Sequence, residues 1–315
     1  MKLAMIGLGR MGGNMTERLL KEGHEVVAYD RDAAAVAAAE KLGAIGARSV
    51  EEVVRKLDPP RVVWLMIPVG TPVEETITAL RPLLSPGDII VDGGNSRFSD
   101  SVRRARELAV DGIGFLDSGT SGGVWGLKDG YCLMIGGEAE DFRKVEPVFR
   151  SLAPPEGYAL VGRAGAGHYT KMIHNAIEYA MLQAYGEGFA MLEASDFDLD
   201  LRRTATLWTR GAVVRSWLLD LLAQALRDDP ELASVEGYVD DSGMGRWTMQ
   251  EAVELAVPVP ALADALFARF SSRQQDSFSA KVIAALRAQF GGHAVKAATR
   301  REPVLPEDRR SKRSI

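Results

Sequence analysis

Up to about residue 165 the chain alternates two hydrophobic patterns. Short, nearly unbroken apolar runs ("KLAMIG", "EVVAYD", "RVVWLMI", "DIIVDGG", "GFLDSG", "YCLMIGG", "YALVG") are separated by stretches with helix-like spacing. Such runs fit strands covered on both faces, and strands alternating with helices predict a parallel sheet flanked by helices. "GGNMTERLLKEG" places Met15, Leu19 and Leu20 on one side and stops at Gly23, which predicts a crossover helix between the first two strands. From about residue 166 the strand signals vanish. Long stretches of helical periodicity take over, such as "KMIHNAIEYAMLQAYGEGFAMLEA" and "RTATLWTRGAVVRSWLLDLLAQAL". The pattern therefore predicts an α/β domain over residues 1–165 and an all-α domain over 166–298. Residues 299–315, "TRREPVLPEDRRSKRSI", mix two prolines with clustered basic charge and read as a tail without a core of its own.

At 315 residues, two moderate domains are affordable, and 46% hydrophobic with 26% charged residues is the ordinary composition of a globular protein. A net charge of -5 gives no global pull toward nucleic acid or an anionic membrane, so neither is expected as a partner. Any anionic ligand must be held by local positive groups. The single Cys132 and four scattered histidines offer no internal disulfide and no metal-ligand spacing, so a cytoplasmic protein without a metal is expected. No apolar run approaches the roughly 18 residues of a membrane span.

"IGLGRMGGNM" carries Gly7, Gly9 and Gly12 in G-x-G-x-x-G spacing, directly after a strand and opening a helix. A dinucleotide site needs a tight turn, close backbone approach to the pyrophosphate and close helix packing, with the helix N-terminus facing the anion. The second strand ends at Asp30, where a carboxylate can accept from ribose hydroxyls. The α/β domain is thus read as Rossmann-type. Arg10 and Met11 within the loop, Arg31 after the acid, and Ile67 closing "RVVWLMI" complete the candidate cofactor residues. A carboxylate at Asp30 repels a 2′-phosphate and favours NAD. Arg31 leaves NADP possible, since a guanidinium can stack on adenine or accept a phosphate. The bland alternative is that Asp30 and Arg31 merely end a strand.

In a helix, Lys171, His174, Asn175 and Glu178 stand at i, i+3, i+4 and i+7 and project from one face. Such a stripe is either a solvent face or the wall of a polar cavity. A buried lysine can act as a base near neutral pH, and a desolvated glutamate as an acid. One face carrying both can move protons at two points of a substrate. "DSGTSGGVWG" adds Ser121, Gly122 and Gly123, whose N–H groups and hydroxyl suit an anion, although consecutive glycines also serve plain turns. Asn95 in "DGGNS" can reach a ligand at the carboxyl end of its strand. No nucleophile–base pair of the Ser-His-Asp kind is suggested.

Through "GLGRMGGNM", "VDGGNS", "SGGVWG", "GHYTKMIHNAIEYAMLQAYGEG", "LWTRGAVVRS", "GMGRWTMQEAVELAVPVP", "FARFSS" and "FGGH", nearly the whole chain resembles the decarboxylating 6-phosphogluconate dehydrogenases in their short form. The resemblance implies oxidative decarboxylation of 6-phosphogluconate to ribulose 5-phosphate and CO₂ with reduction of NAD(P). It implies Lys171 as base and then acid, Glu178 as the proton donor to C1, and His174 and Asn175 on substrate hydroxyls. Ser121 to Gly123 would hold the carboxylate end, and Asn95 would sit between cofactor and substrate. Phosphate recognition would fall to Tyr179, Arg269 and Arg287, with His293 nearby. In the family, residues matching the last two come from a neighbouring subunit, which implies a homo-oligomer, dimer or tetramer, with shared sites.

The chain departs from the long family members at Ser242, where they carry a lysine, and in its smaller helical domain. The common NADP enzymes of the family carry Asn where Asp30 stands. Two other functions remain in view: a non-decarboxylating β-hydroxyacid dehydrogenase acting on a small unphosphorylated acid, and a non-catalytic NAD-binding sensor. CO₂ release separates the first; binding without turnover marks the second.

Overall fold

The computed structural model describes residues 1–296; the tail expected over 299–315 lies outside them. The first half runs β1 (Lys2–Ile6), α1 (Arg10–Lys21), β2 (Glu25–Tyr29), α2 (Ala33–Lys41), β3 (Ile45–Gly46), α3 (Val50–Arg55), β4 (Val62–Leu65) and α4 (Thr71–Leu80). It continues through β5 (Ile89–Asp92), α5 (Phe98–Ala109), β6 (Gly114–Ser121), α6 (Gly126–Asp129), β7 (Cys132–Gly136), α7 (Ala139–Leu152) and β8 (Tyr158–Gly162). The strands form one eight-stranded sheet in the order β3-β2-β1-β4-β5-β6-β7-β8.

Each apolar run read from the sequence contains a strand, and the Rossmann-type architecture is as expected. The sheet gains β3, a two-residue edge strand paired to β2. It has no apolar run of its own to announce it. The expectation of a parallel sheet is corrected at one junction: β7 runs antiparallel to β6, with Ser121 opposite Cys132. Residues 122–131 hold only a 3-10 turn and α6. A parallel crossover takes a dozen or more residues, so a connection this short returns the chain alongside its own strand.

The central strands β1, β4 and β5 bury both faces. In β1, Leu3 and Met5 join one hydrophobic cluster with Trp64 and Phe149, while Ala4 and Ile6 join another with Val53 and Ile77 on the opposite face. Residues with alternate orientation thus feed two cores, as a doubly wound sheet requires.

The second half is helical: α8 (Ala166–Glu193), α9 (Leu201–Trp208), α10 (Trp217–Asp228), α11 (Met244–Glu254), α12 (Pro260–Ser272) and α13 (Phe278–Gly291). The stretch read from "RTATLWTRG" to "LLAQAL" as continuous periodicity is broken into α9 and α10. Gly211 adopts φ +76 between them, and the Ser216 hydroxyl accepts the Leu219 N–H as the cap of α10. At 28 residues α8 is the axis of this half. It packs against β6 and β7 at its start and against α11 and α12 along its length. Among the described residues, no helix is long and apolar enough to cross a membrane.

Candidate active site

The chain leaves β1 toward β2 on one side and returns to β4 on the other, so β1 lies at the point where strand order reverses. Doubly wound sheets bind ligands in the crevice at that point, outside the carboxyl ends of the strands. The glycine loop sits there. Gly7 adopts φ +93, and a methyl on it would strike the Met66 carbonyl and the Ile67 side chain. A methyl on Gly12 would strike the Gly7 carbonyl oxygen, so α1 could not pack so closely. Gly9 differs, since no other part of the described chain beyond its immediate neighbours comes within 4 Å of where its Cβ would stand. Its neighbours do not require glycine, but a pyrophosphate above the N-terminus of α1 would, and the residues present fit a dinucleotide. Arg10 is exposed at the first position of α1.

Asp30 is tied into this loop. Its carboxylate accepts the Leu8 N–H at 2.6 Å and the Asp32 N–H at 2.8 Å. Arg31 reaches across to the Glu75 carboxylate on α4 at 3.1 Å.

The loop carrying Asn95 is fixed by a network that the sequence reading missed. Buried Asp92 accepts from the Gly94 N–H, the Ser96 hydroxyl and the Arg104 guanidinium, the last at 2.9 Å. Arg104, 1% exposed, also donates to Glu74. Ser101, Arg104 and Leu108 form the buried stripe of α5 at i, i+3 and i+7, and that spacing was the available signal.

α8 is anchored with equal care. Buried Asp117, in β6, accepts the N–H groups of Gly165 at 2.6 Å and His168 at 2.8 Å, satisfying free donors at the start of the helix. The Ser101 hydroxyl lies 2.7 Å from His168 Nδ1. A methyl on Gly119 would strike the Lys171 side chain, and one on Gly167 would strike the carbonyl oxygens of Asp117 and Met134. Two glycines therefore let α8 lie directly on the strands, with Lys171 one turn past the anchor.

The polar stripe of α8 faces a cavity of about 1110 Å³. Lys171, His174, Asn175 and Glu178 form one wall. Asn95, Ser121, Gly122 and Gly123 stand across from it, and Met11 connects it to the cofactor crevice. The solvent-face alternative for the stripe is excluded at its base, where Lys171 is 6% and Asn175 8% exposed. Glu178 sits higher, with its side chain 36% exposed, so it is at the rim and not in the sealed position expected for a desolvated acid.

Burial holds Lys171 below the usual lysine range, partly offset by the Glu178 carboxylate. Burial also lowers the His174 pKa, and the neighbouring lysine lowers it further, against Asn175 and Glu178, which favour the charged ring. Its Nδ1 lies 3.1 Å from Asn175 Oδ1 and 3.4 Å from Lys171 Nζ. Its Nε2 lies 3.4 Å from Ser121 Oγ, a serine–histidine contact that the sequence did not suggest because strand and helix meet only in the fold. α10 closes the cavity with Trp217, Leu218 and Leu221, which no motif announced.

The residues expected at a phosphate lie elsewhere. Arg269 stacks on the Tyr179 ring at 3.7 Å, and the Tyr179 hydroxyl lies 2.8 Å from Ser242 Oγ, between α8, α11 and α12. Arg287 belongs to α13, and His293 follows that helix. Neither lines the cavity of its own chain.

Residues 2–163 match the family model described as the NAD binding domain of 6-phosphogluconate dehydrogenase, and residues 167–302 match the 6-phosphogluconate dehydrogenase C-terminal domain. The NAD(+)-dependent, decarboxylating 6-phosphogluconate dehydrogenase of Haloferax volcanii is 46% identical over 94% of this chain and 98% of its own. The Plasmodium falciparum 6-phosphogluconate dehydrogenase, solved in apo form, with NADP+ and with 6-phosphogluconate, superposes with TM-score 0.80 at 26% identity. That match covers 96% of this chain and 67% of the other. A Mycobacterium tuberculosis 3-hydroxyisobutyrate dehydrogenase superposes with TM-score 0.70 at 25% identity, covering 91% of this chain and 99% of its own.

Proposed function

Since the chain belongs to the 6-phosphogluconate dehydrogenase family, we propose that it converts 6-phospho-D-gluconate to D-ribulose 5-phosphate and CO₂, with NAD preferred over NADP. The observation that carries the chemistry is Lys171. It is a nearly buried lysine held below its ordinary pKa, in the same cavity as Glu178 and beside a dinucleotide crevice.

NAD, when bound along Gly7, Gly9, Gly12 and Asp30, supplies the acceptor for the hydride of substrate C3. Neutral Lys171 takes the proton of the C3 hydroxyl. Now an ammonium, it donates to the new carbonyl oxygen and draws electrons toward it as CO₂ departs, because a β-keto acid carries its own electron sink. Glu178, at the open end of the wall, delivers a proton to the enediol carbon that becomes C1 of the product, while Lys171 takes back the proton of the adjoining hydroxyl as it becomes the ketone. His174 and Asn175 lie between the two and hold the sugar hydroxyls, while Ser121 to Gly123 hold the carboxylate end. Asn95, on its Asp92–Arg104 anchor, stands between cofactor and sugar. Tyr179, Ser242 and Arg269 form the phosphate end, with Ser242 taking the position of the family lysine.

Arg287 and His293 complete that end from a neighbouring copy, in a cytoplasmic homo-oligomer, dimer or tetramer. Supporting this, α13 has no buried residue, and Phe278, Ile283, Leu286 and Phe290 are more than half exposed. The test is turnover of 6-phosphogluconate with each cofactor, with CO₂ trapped. Reduced cofactor and CO₂ in equal amounts are expected. Reduced cofactor without CO₂ would instead favour a β-hydroxyacid dehydrogenase, and no reduction with either cofactor would sink the proposal.

A further inference from the structure

Two charged contacts frame the adenosine end of the crevice. Asp30, at the end of β2, has both carboxylate oxygens engaged by backbone N–H groups, those of Leu8 and Asp32. It therefore cannot swing aside to admit a 2′-phosphate without breaking the glycine loop. Arg31, its neighbour, is a group that would attract such a phosphate, but its guanidinium pairs with Glu75 at 3.1 Å. Glu75 lies in the second turn of α4, on the far side of β1, so the pair spans the mouth of the crevice from the β2 end to the β4 end.

Resting on the dinucleotide reading above, we propose that Glu75 is a specificity-determining residue that holds and neutralises Arg31 and so keeps 2′-phosphorylated cofactors out. Asp30 supplies the repulsion and Glu75 removes the compensating attraction. A phosphate near Arg31 would have to displace a carboxylate already paired to it and remain beside that carboxylate. Both side chains of the pair are largely exposed, 75% and 59%, so the effect is modest and salt-dependent.

The two acids also differ in how they can be tested. In Asp30→Asn, the amide can accept through only one oxygen, and its NH₂ faces the second backbone N–H. That change alters cofactor choice and loosens the glycine loop together. Among the described residues the Glu75 side chain is hydrogen-bonded to Arg31 and not to the loop's backbone, so Glu75→Gln changes the charge around Arg31 and keeps the bonds of the cradle.

The experiment is calorimetric titration with two nicotinamide-free probes, ADP-ribose and 2′-phospho-ADP-ribose, on the wild type, Glu75→Gln, and Glu75→Gln with Arg31→Ala. Glu75→Gln is expected to raise the affinity for the 2′-phosphorylated probe, relative to ADP-ribose, by about fivefold at low salt. The double variant is expected to lose that gain. An unchanged ratio in Glu75→Gln would overturn the assignment. So would a gain that survives removal of Arg31, which would mean that only the overall charge mattered. A parallel assay of the wild type with 6-phosphogluconate and NAD keeps the two readings apart. Failure there counts against the enzymatic function, while the binding ratios still decide the role of Glu75.

Discussion

The two halves of the molecule bury themselves to different degrees. In the α/β half, two hydrophobic clusters fill both faces of the sheet, and even charged Arg104 and Asp92 are sealed inside with partners. In the helical half a small cluster gathers around Phe189, Ala205, Leu219, Ala223 and Leu226, a few more apolar side chains such as Met172, Met244 and Leu266 are buried on α8, α11 and α12, and no residue of α13 is buried. The difference teaches where each half gets its stability. A sheet covered on both sides completes its core within one chain. Helices with apolar faces left open have area to bury against another chain, in line with the proposal that the phosphate end is shared between copies. Lys171 sits where the two halves meet, at the start of the helix that belongs to one and rests on the other.

The comparison can be broken most forcefully at that junction. Lys171→Met should lower kcat by on the order of 10³-fold, the scale of a lost general base, while NAD binding by calorimetry stays measurable. The same variant should melt at a higher temperature at neutral pH. Burial lowers the lysine's pKa in the folded state, so below its ordinary pKa the unfolded chain binds the proton more readily and folding is penalised. The penalty fades as pH rises toward the ordinary lysine value, and the gap between variant and wild-type melting temperatures should close with it. By the same shift, the acid limb of the kcat/KM profile should rise with pH at values below those of an ordinary lysine. A destabilised Lys171→Met at neutral pH would show that the site is not desolvated as described.

Next in size is the open face of the helical half. Leu286→Asp with Phe290→Asp should shift the mass measured by light scattering toward the monomer. Turnover at low substrate should drop by about a hundredfold or more, because two charge-assisted contacts to the phosphate, at about 1.5–3 kcal/mol each, are withdrawn. ADP-ribose binding should be retained. Loss of binding together with assembly would mean that the α/β half is not self-sufficient.

Arg269→Ala should act more selectively, raising the KM for 6-phosphogluconate by about 30-fold, the scale of one charge-assisted contact, with little change in NAD affinity. Indifference to the change would favour an unphosphorylated substrate. The smallest effect is expected at Ser242→Lys, which restores the family lysine beside Tyr179 and should lower the KM a few-fold, in line with a single exposed charge.

Legibility followed the range of the interactions. The glycine turn, the strand before it and the helix after it are contiguous, so Gly7, Gly9 and Gly12 were readable from spacing. The helix wall was readable for the same reason, since Lys171 and Glu178 lie two turns apart on one helix. Asp117 and Arg104 were missed because each meets a segment distant along the chain: Asp117 caps a helix that begins 49 residues later, at Ala166, and Arg104 reaches back to Glu74 on α4. The antiparallel step at β7 was missed because an apolar run has the same composition whichever way it points. Only the length of the preceding connection carried the direction.

The α/β and helical halves, the glycine cradle and the charged stripe of α8 follow from period and local turn chemistry, which are written in neighbouring residues. Folding at long range sets Lys171 in a buried position and Glu178 at the rim, and ties Asp30, at the end of β2, to the glycine loop through Leu8. It also decided that Arg31 is met by Glu75 from across the sheet. Burial and charge pairing are set by what comes near from elsewhere in the chain, and those two quantities fix the pKa of a base and the charge around a cofactor.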